Sequence, residues 1–177
     1  NDLNYAVDLV KFIRKEYGSY FGISVGGYPE GHPDAKSYQQ DLIYLKQKVD
    51  AGADYIITQF FFDVKLFFKY VEDCRNIGIT CPIIPGILPI INFRSFKRMI
   101  GFCKTKVPDE ILTDLEKIKN NDEEVANYGV KLAIKMCKDL INNGVKGIHF
   151  YTLNRDDCTF KILNNLNLLK NVSEKRN

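Results

Sequence analysis

Residues 35–60, AKSYQQDLIYLKQKVDAGADYIITQF, decide the fold class. From Ala35 to Asp50 the apolar residues Tyr38, Leu42, Leu45 and Val49 return at three- and four-residue spacing, the period of a helix buried on one side. Gly52 stops that pattern, and the β-branched and aromatic run Tyr55–Phe60 then reads as a strand. A helix, a glycine stop and a strand in close succession form the repeating unit of an α/β chain.

The same unit recurs on both sides. Upstream, Leu3, Ala6, Val7, Val10 and Ile13 make a helical stripe over residues 3–17 that Gly18 ends, and Phe21–Val25 reads as a strand closed by Gly26-Gly27-Tyr28-Pro29. Downstream, Val64, Phe67, Phe68, Val71 and Cys74 predict a helix ending near Gly78. Cys81–Leu88 reads as a third strand, although Pro82, Pro85 and Pro89 each remove a donor and argue against the middle of a sheet. Phe93, Phe96, Ile100 and Cys103 mark the next helix, and Val107-Pro108 opens an extra helical segment to about Lys119. Val125–Ile141 is the clearest helix, Val145–Leu153 a fourth strand, and Ile162, Leu163, Leu166 and Leu169 the stripe of a last helix. Loops this short suit right-handed crossovers between parallel strands.

Two architectures compete, a doubly wound open sheet and half of an eight-stranded (β/α)8 barrel, whose full form needs about 250 residues. Four strand–helix units in 177 residues favour half a barrel, and no G-x-G-x-x-G or P-loop motif supports the open sheet. A chain that opens without methionine, almost at once in a helical pattern, is expected to be a fragment. The expected organisation is one region over 1–170 and a polar tail or linker start over 171–177.

Composition narrows the function. The net charge of +3 comes from interspersed acids and bases, so neither nucleic acid nor an anionic membrane is the expected partner. No apolar run approaches the ~20 residues of a membrane span and no signal-peptide layout opens the chain, so a cytoplasmic protein is expected. Five cysteines without C-x-x-C spacing read as reduced thiols, and two histidines, His32 and His149, lie at no ligand spacing from a cysteine pair, so no metal site is expected.

The working end of either architecture is the carboxyl end of the strands. After the first strand, Gly26 to Asp34 offers close backbone approach, the Tyr28 ring as a stacking face, and His32 and Asp34 as polar contacts; a rigid turn is the equal alternative. Asp41, Tyr44 and Lys48 share one helical face, where Lys48 suits a phosphate and Asp41 a ribose hydroxyl, against the commoner reading of an exposed charge pair. Small residues in Gly52-Ala53-Asp54 let the helix approach the next strand. Gln59 ends its strand on the side of Tyr55 and Ile57, either for the edges of a planar heterocycle or simply for backbone. In the fourth strand His149, Tyr151 and Leu153 share a face that Arg155 continues, its planar fork suited to a carboxylate or phosphate. His149 reads as an interior histidine, and no Ser-His-Asp or Cys-His arrangement appears.

Five blocks then carry a resemblance: Gly27-Tyr28-Pro29-Glu30-Gly31-His32-Pro33, Asp50-Ala51-Gly52-Ala53-Asp54, Ile57-Thr58-Gln59-Phe60-Phe61-Phe62, Pro85-Gly86-Ile87-Leu88-Pro89 and His149-Phe150-Tyr151-Thr152-Leu153-Asn154-Arg155. In order and spacing they resemble methylenetetrahydrofolate reductase, over almost the whole chain from about Tyr5 to Leu169. The resemblance implies the second half of a (β/α)8 catalytic barrel that holds FAD, takes a hydride from NADPH or NADH, and reduces 5,10-methylenetetrahydrofolate to 5-methyltetrahydrofolate in one-carbon and methionine metabolism. The Gly31-His32-Pro33 turn leans towards NADPH. The resemblance assigns Tyr28, His32, Pro33, Asp34, Ala35, Asp41 and Lys48 to FAD, Gln59 to folate and the nicotinamide in turn, and Tyr151 and Arg155 to folate and its glutamate tail. Ser95 and Met99 stand where bacterial members carry a folate-contacting glutamine and phenylalanine.

The family's first-strand acid and fourth-strand acidic residue have no counterpart here, so no catalytic residue is assigned and the isolated chain is expected to be inactive. The parent is expected to be a homo-oligomer, and eukaryotic members carry a further domain that binds S-adenosylmethionine. The alternative is an inactive half barrel that binds flavin or nucleotide and pairs with a second copy.

Overall fold

The computed structural model describes residues 3–169. The chain divides between Gly86 and Ile87 into two compact units. The first holds α1 (Ala6–Tyr17), β1 (Ser24–Gly27), α2 (Tyr38–Asp50), β2 (Tyr55–Phe60), α3 (Val64–Asn76) and all but the last residue of β3 (Ile83–Ile87). Its strands are parallel, with Ser24 opposite Tyr55 and Ile56 opposite Ile83. Val10, Ile23, Val25, Leu42, Leu45, Ile56, Tyr70, Cys74 and Ile79 form its core.

Three sequence expectations shift here for identifiable reasons. The α2 helix starts at Tyr38 instead of Ala35, because the Ser37 hydroxyl caps it by accepting the Gln40 amide at 3.1 Å. The β1 strand covers Ser24–Gly27, not Phe21–Val25. Alternation buries Ile23, Val25 and Gly27, while Phe21 stays 46% exposed against the rings of Tyr17 and Tyr20. The α1 stripe is shallower than its period suggests: Val10 alone is fully buried and Leu3 precedes the helix, exposed.

The prolines shorten β3 to Ile83–Ile87 without excluding it. Pro85 is fully buried inside the strand. The pairing steps from Ile57 opposite Ile84 to Phe60 opposite Gly86, one extra residue on β2. In that bulge the Thr58 hydroxyl accepts the Gly86 amide at 2.9 Å, so the ladder is carried past the missing proline donor by a side chain.

The second unit holds α4 (Phe93–Cys103), α5 (Asp109–Ile118), α6 (Asp122–Asn142), β4 (His149–Phe150) and α7 (Asp157–Asn165). The α6 helix begins before the expected Val125 because Asn121 caps it, accepting the amides of Glu123 and Glu124. Gly129 in its middle allows a close approach, since a Cβ there would lie 2.1 Å from the Ile90 carbonyl oxygen. The fourth strand is only His149–Phe150, not Val145–Leu153. The Tyr151 amide donates to the Ile87 carbonyl at 2.9 Å, after which Leu153 and Asn154 turn into left-handed backbone with φ of 49° and 61°. The last helix stops at Asn165, so Leu166 caps it and Leu169 lies beyond. The expected tail, 171–177, lies outside the described residues.

The strand order is β1-β2-β3-β4, following the sequence without reversal. Doubly wound sheets reverse at a switch point and barrels do not, so this is the order of four successive barrel strands. Cys74, Cys81, Cys103, Cys137 and Cys158 are all free thiols, and burial pushes Cys137 up to about 12 and Cys74 up to about 11, which leaves both unreactive at neutral pH.

Candidate functional site

In the first unit, the end of β1 and one side of α2 enclose one cluster. The Gly31 amide donates to the Tyr28 carbonyl at 2.9 Å, closing a turn in which Gly31 has a φ of +85° that a side chain would strain. That turn sets the His32 ring edge-on to the Tyr28 ring, 4.5 Å apart at 81°. His32 Nδ1 accepts the Asp34 amide at 3.1 Å, which assigns the ring proton of a neutral His32 to Nε2. The His32 amide in turn donates to Asp41 Oδ2 at 3.2 Å.

Asp41 is only 7% exposed, so the reading of an exposed charge pair fails for it. Burial raises its pKa above the ordinary carboxylate value, opposed by the His32 amide and the Lys48 charge. Burial likewise lowers the Lys48 pKa, opposed by Asp41. Lys48 Nζ donates to the Gly26 carbonyl at 2.9 Å, which uses one of its three donors and ties α2 to the end of β1. Tyr44, expected on the same face, is 47% exposed and takes no part in the buried cluster. Pro33 and Asp34 are exposed at the rim and Ala35 is half-buried.

Two supports of this cluster were missed in the sequence. The Tyr38 ring lies under Gly31 and its hydroxyl donates to Asp73 at 2.9 Å, joining α2 to α3. Tyr70, fully buried, stands where a Cβ on Gly27 would be 2.2 Å from its hydroxyl. Tyr38 has a sequence signal, the Ser37 cap before it, whereas Tyr70 reads as ordinary helix core. At the other end of α2, Arg14 donates to the Gly52 carbonyl at 2.6 and 2.9 Å and to Asp54 at 2.7 Å. The Ile23 amide and Arg14 together hold the Asp54 carboxyl below its ordinary range. Gln59 is half-buried, its amide oxygen accepting the Phe60 amide at 3.0 Å, which matches the backbone-binding alternative for that oxygen.

The second unit carries Tyr151 and Arg155. Tyr151 packs edge-on against His149, with centroids 4.7 Å apart, as strand parity predicts. Parity fails for Arg155, because the left-handed pair Leu153-Asn154 intervenes and the Arg155 amide turns back to the Thr152 carbonyl. Its side chain instead lines a cavity of about 270 Å³ with Asn92, Asp122, Asp157 and Lys161. The amino-terminal ends of α4, α6 and α7 border this cavity, a positive potential that the three carboxylates there, Asp122, Glu123 and Asp157, offset. Ser95 is absorbed in the α4 cap, its amide on Asn92 Oδ1 at 2.8 Å.

Comparisons with known proteins bear on the family and the fold of the chain. The profile of the methylenetetrahydrofolate reductase family matches residues 1–167. The chain is 53% identical to methylenetetrahydrofolate reductase (NADH) 1 of Zea mays, over 97% of this chain and 30% of that protein. It is 51% identical to a probable methylenetetrahydrofolate reductase (NADPH) of Caenorhabditis elegans, over 93% of this chain and 25% of that protein. The chain thus spans less than a third of these relatives. A solved structure of an uncharacterized Clostridium thermocellum protein that binds two copies of 5-methyl-5,6,7,8-tetrahydrofolic acid shares the fold, with a TM-score of 0.63 at 18% identity over 89% of this chain and 56% of that one.

Proposed function

Because the chain belongs to the methylenetetrahydrofolate reductase family, we propose that it is the second half of a catalytic barrel that reduces 5,10-methylenetetrahydrofolate to 5-methyltetrahydrofolate with FAD and a reduced nicotinamide, NADPH or NADH. The observation that carries the reading is the cluster of Tyr28, His32, Asp41 and Lys48, gathered where the end of β1 meets α2, with Asp41 in the first turn of that helix and Lys48 in its last. A buried carboxylate, an ammonium with donors to spare and an aromatic face fit the hydroxyl, diphosphate and ring portions of FAD. When bound, FAD supplies the two-electron chemistry between nicotinamide and folate.

Lys48 places positive charge against the diphosphate, and its bond to Gly26 keeps the ammonium at the strand end. Asp41 accepts from a cofactor hydroxyl while the His32 amide keeps its carboxylate aimed. Tyr28 offers a ring face, and the 32–35 turn, closed by the Ala35 amide on the His32 carbonyl, holds the rim. Gln59 hydrogen-bonds the folate heterocycle or the nicotinamide in turn, Tyr151 packs on folate, and Arg155 takes a carboxylate of its glutamate tail. None of these residues supplies the acid that protonates the substrate, so the isolated chain is expected to turn over no folate.

Visible absorption of the purified chain on gel filtration with added FAD tests this directly. A flavin band that co-elutes with the chain, and is lost in Lys48→Ala, supports the cluster as the cofactor platform. A folded wild-type chain that elutes without flavin refutes a self-sufficient platform, and folate-dependent nicotinamide oxidation by the chain alone refutes the expected inactivity.

A further inference from the structure

The cluster of Tyr28, His32, Asp41 and Lys48 is tied to α3 by a hydrogen bond that its cofactor reading does not use. Tyr38 opens α2 and lies three residues before Asp41, so the two side chains are neighbours on the helix surface. A Cβ on Gly31 would be 3.6 Å from Tyr38 Cα and from its ring carbon Cδ2, so the turn that carries His32 lies against this residue. The Tyr38 hydroxyl donates to Asp73 Oδ2 at 2.9 Å, and Lys69 Nζ donates to Asp73 Oδ1 at 3.0 Å. Lys69 and Tyr38 hold the Asp73 carboxyl below its ordinary range, whereas burial and Asp73 raise the pKa of the Tyr38 hydroxyl. At neutral pH a protonated phenol therefore donates to an ionised carboxylate, which is the stronger, charge-assisted kind of hydrogen bond.

Packing alone does not call for that hydroxyl, because a phenylalanine would set the same ring against the core. What the hydroxyl adds is direction, since it fixes how the first turn of α2 is rotated relative to α3. Asp41 depends on that rotation. The His32 amide reaches Asp41 Oδ2 at 3.2 Å, the long end of the range for such bonds, so a small turn of the helix breaks it.

We propose that Tyr38 is a positioning residue of the cofactor platform: held by Asp73 on α3, it sets the rotation of α2 that keeps the Asp41 carboxylate within reach of the His32 amide and aimed at a cofactor hydroxyl. Only the aim at the cofactor rests on the flavin reading; the link from Tyr38 to Asp41 stands without it.

The test is the titration of the Asp41 carboxyl, followed by carboxyl-carbon NMR on the full chain without cofactor, and then FAD affinity on the same variants. Asp41 is faced by the His32 amide and ring from the turn, by Lys48 from its own helix, and by the uncharged hydroxyls of Tyr38 and Tyr70 from α2 and α3, so its midpoint reports their placement. Tyr38→Phe keeps the ring and loses the bond. With the His32 amide displaced, the charged form of Asp41 loses a donor, and its midpoint is expected to rise by roughly half a pH unit or more. Asp73→Ala has the same effect, and the two substitutions together shift the midpoint no further than either alone. Asp73→Asn still offers Tyr38 an oxygen and leaves the midpoint near that of the unaltered chain. FAD affinity falls in the same pattern, by about tenfold where the bond is lost, the low end of what residues that orient a ligating group contribute at metal sites. A role confined to joining two helices lowers the urea midpoint of the variants but leaves the Asp41 titration of the folded chain in place. That outcome overturns the proposal, as does an asparagine variant that behaves like the alanine one. A shifted Asp41 with unchanged FAD affinity overturns the aim at the cofactor. If the unaltered chain binds no FAD, the flavin reading falls, and the Asp41 titration still decides whether Tyr38 positions that carboxylate.

Discussion

Replacing Gly27 with alanine measures how tightly the strand end beside the cluster of Tyr28, His32, Asp41 and Lys48 is packed. An ideal Cβ there lies 2.2 Å from the Tyr70 hydroxyl oxygen and 2.7 Å from Ile56 Cγ2, with Tyr70 Cζ at 3.2 Å. Unstrained contacts between carbon atoms lie at about 3.5–4.0 Å, and both neighbours are 0% exposed, so neither has open space to move into. Overpacking of this kind costs about 1–3 kcal/mol. The lost backbone freedom of the unfolded glycine works the other way, by roughly 0.5–1 kcal/mol. The balance is a destabilisation of about 1–2 kcal/mol, or roughly 2–8 °C in Tm for a chain of this length.

Urea unfolding followed by far-UV circular dichroism is the assay, since the chain has no tryptophan. The midpoint is expected to fall at constant slope. Adding Tyr70→Phe removes the nearest atom but leaves Ile56 Cγ2, so the double variant recovers part of the loss, with a coupling of about 1 kcal/mol. A Gly27→Ala chain more stable than the original shows that entropy and not packing governs the position. Additive effects of the two substitutions show that Tyr70 is not the limiting neighbour.

Three other outcomes follow from the same geometry. The raised pKa of Asp41 means that the folded chain holds its proton more tightly than the unfolded one, so its contribution is favourable in acid and lost as pH rises through the raised value. Asp41→Asn is therefore more stable than the original at pH 7, a gap that closes on acidification, while FAD affinity falls; thermal melts across pH decide it, and a less stable variant at pH 7 sinks the argument. Thr58→Val leaves the buried Gly86 amide without its acceptor, at a cost of about 1–3 kcal/mol read as a lower urea midpoint; an unchanged midpoint means that the bulge re-pairs. Gly129→Ala, despite the helix-forming gain of alanine, lowers Tm more than Gly27→Ala, because the obstacle at 2.1 Å is the Ile90 backbone and not a side chain; the reverse order of melting temperatures contradicts this.

Much of the architecture is legible in local pattern. The 3.6-residue stripes and glycine stops locate the helices, and Tyr55–Phe60 coincides with β2. The α2 start shows the limit, since the Ser37 cap outweighs the helix-compatible Ala35-Lys36. Of the cofactor candidates, helical spacing brought Asp41 and Lys48 to one face, but the charges alone suggested an exposed pair. Arg155 was found for its chemistry and misplaced by parity, because two left-handed residues break the alternation that parity assumes.

Periodicity acts between neighbours along the chain, so the order of helices and strands, the barrel-type succession and the resemblance blocks follow from the sequence. Burial and close approach depend on residues far apart in it. That is why the burial of Asp41, the Thr58 hydroxyl standing in beside Pro85, the Tyr70 ring beneath Gly27 and the brevity of β4 emerge only once the chain is folded. A strand needs a partner's donors and acceptors to exist, and a carboxylate's pKa is set by what excludes water from it; neither is a property of the segment that carries the residue.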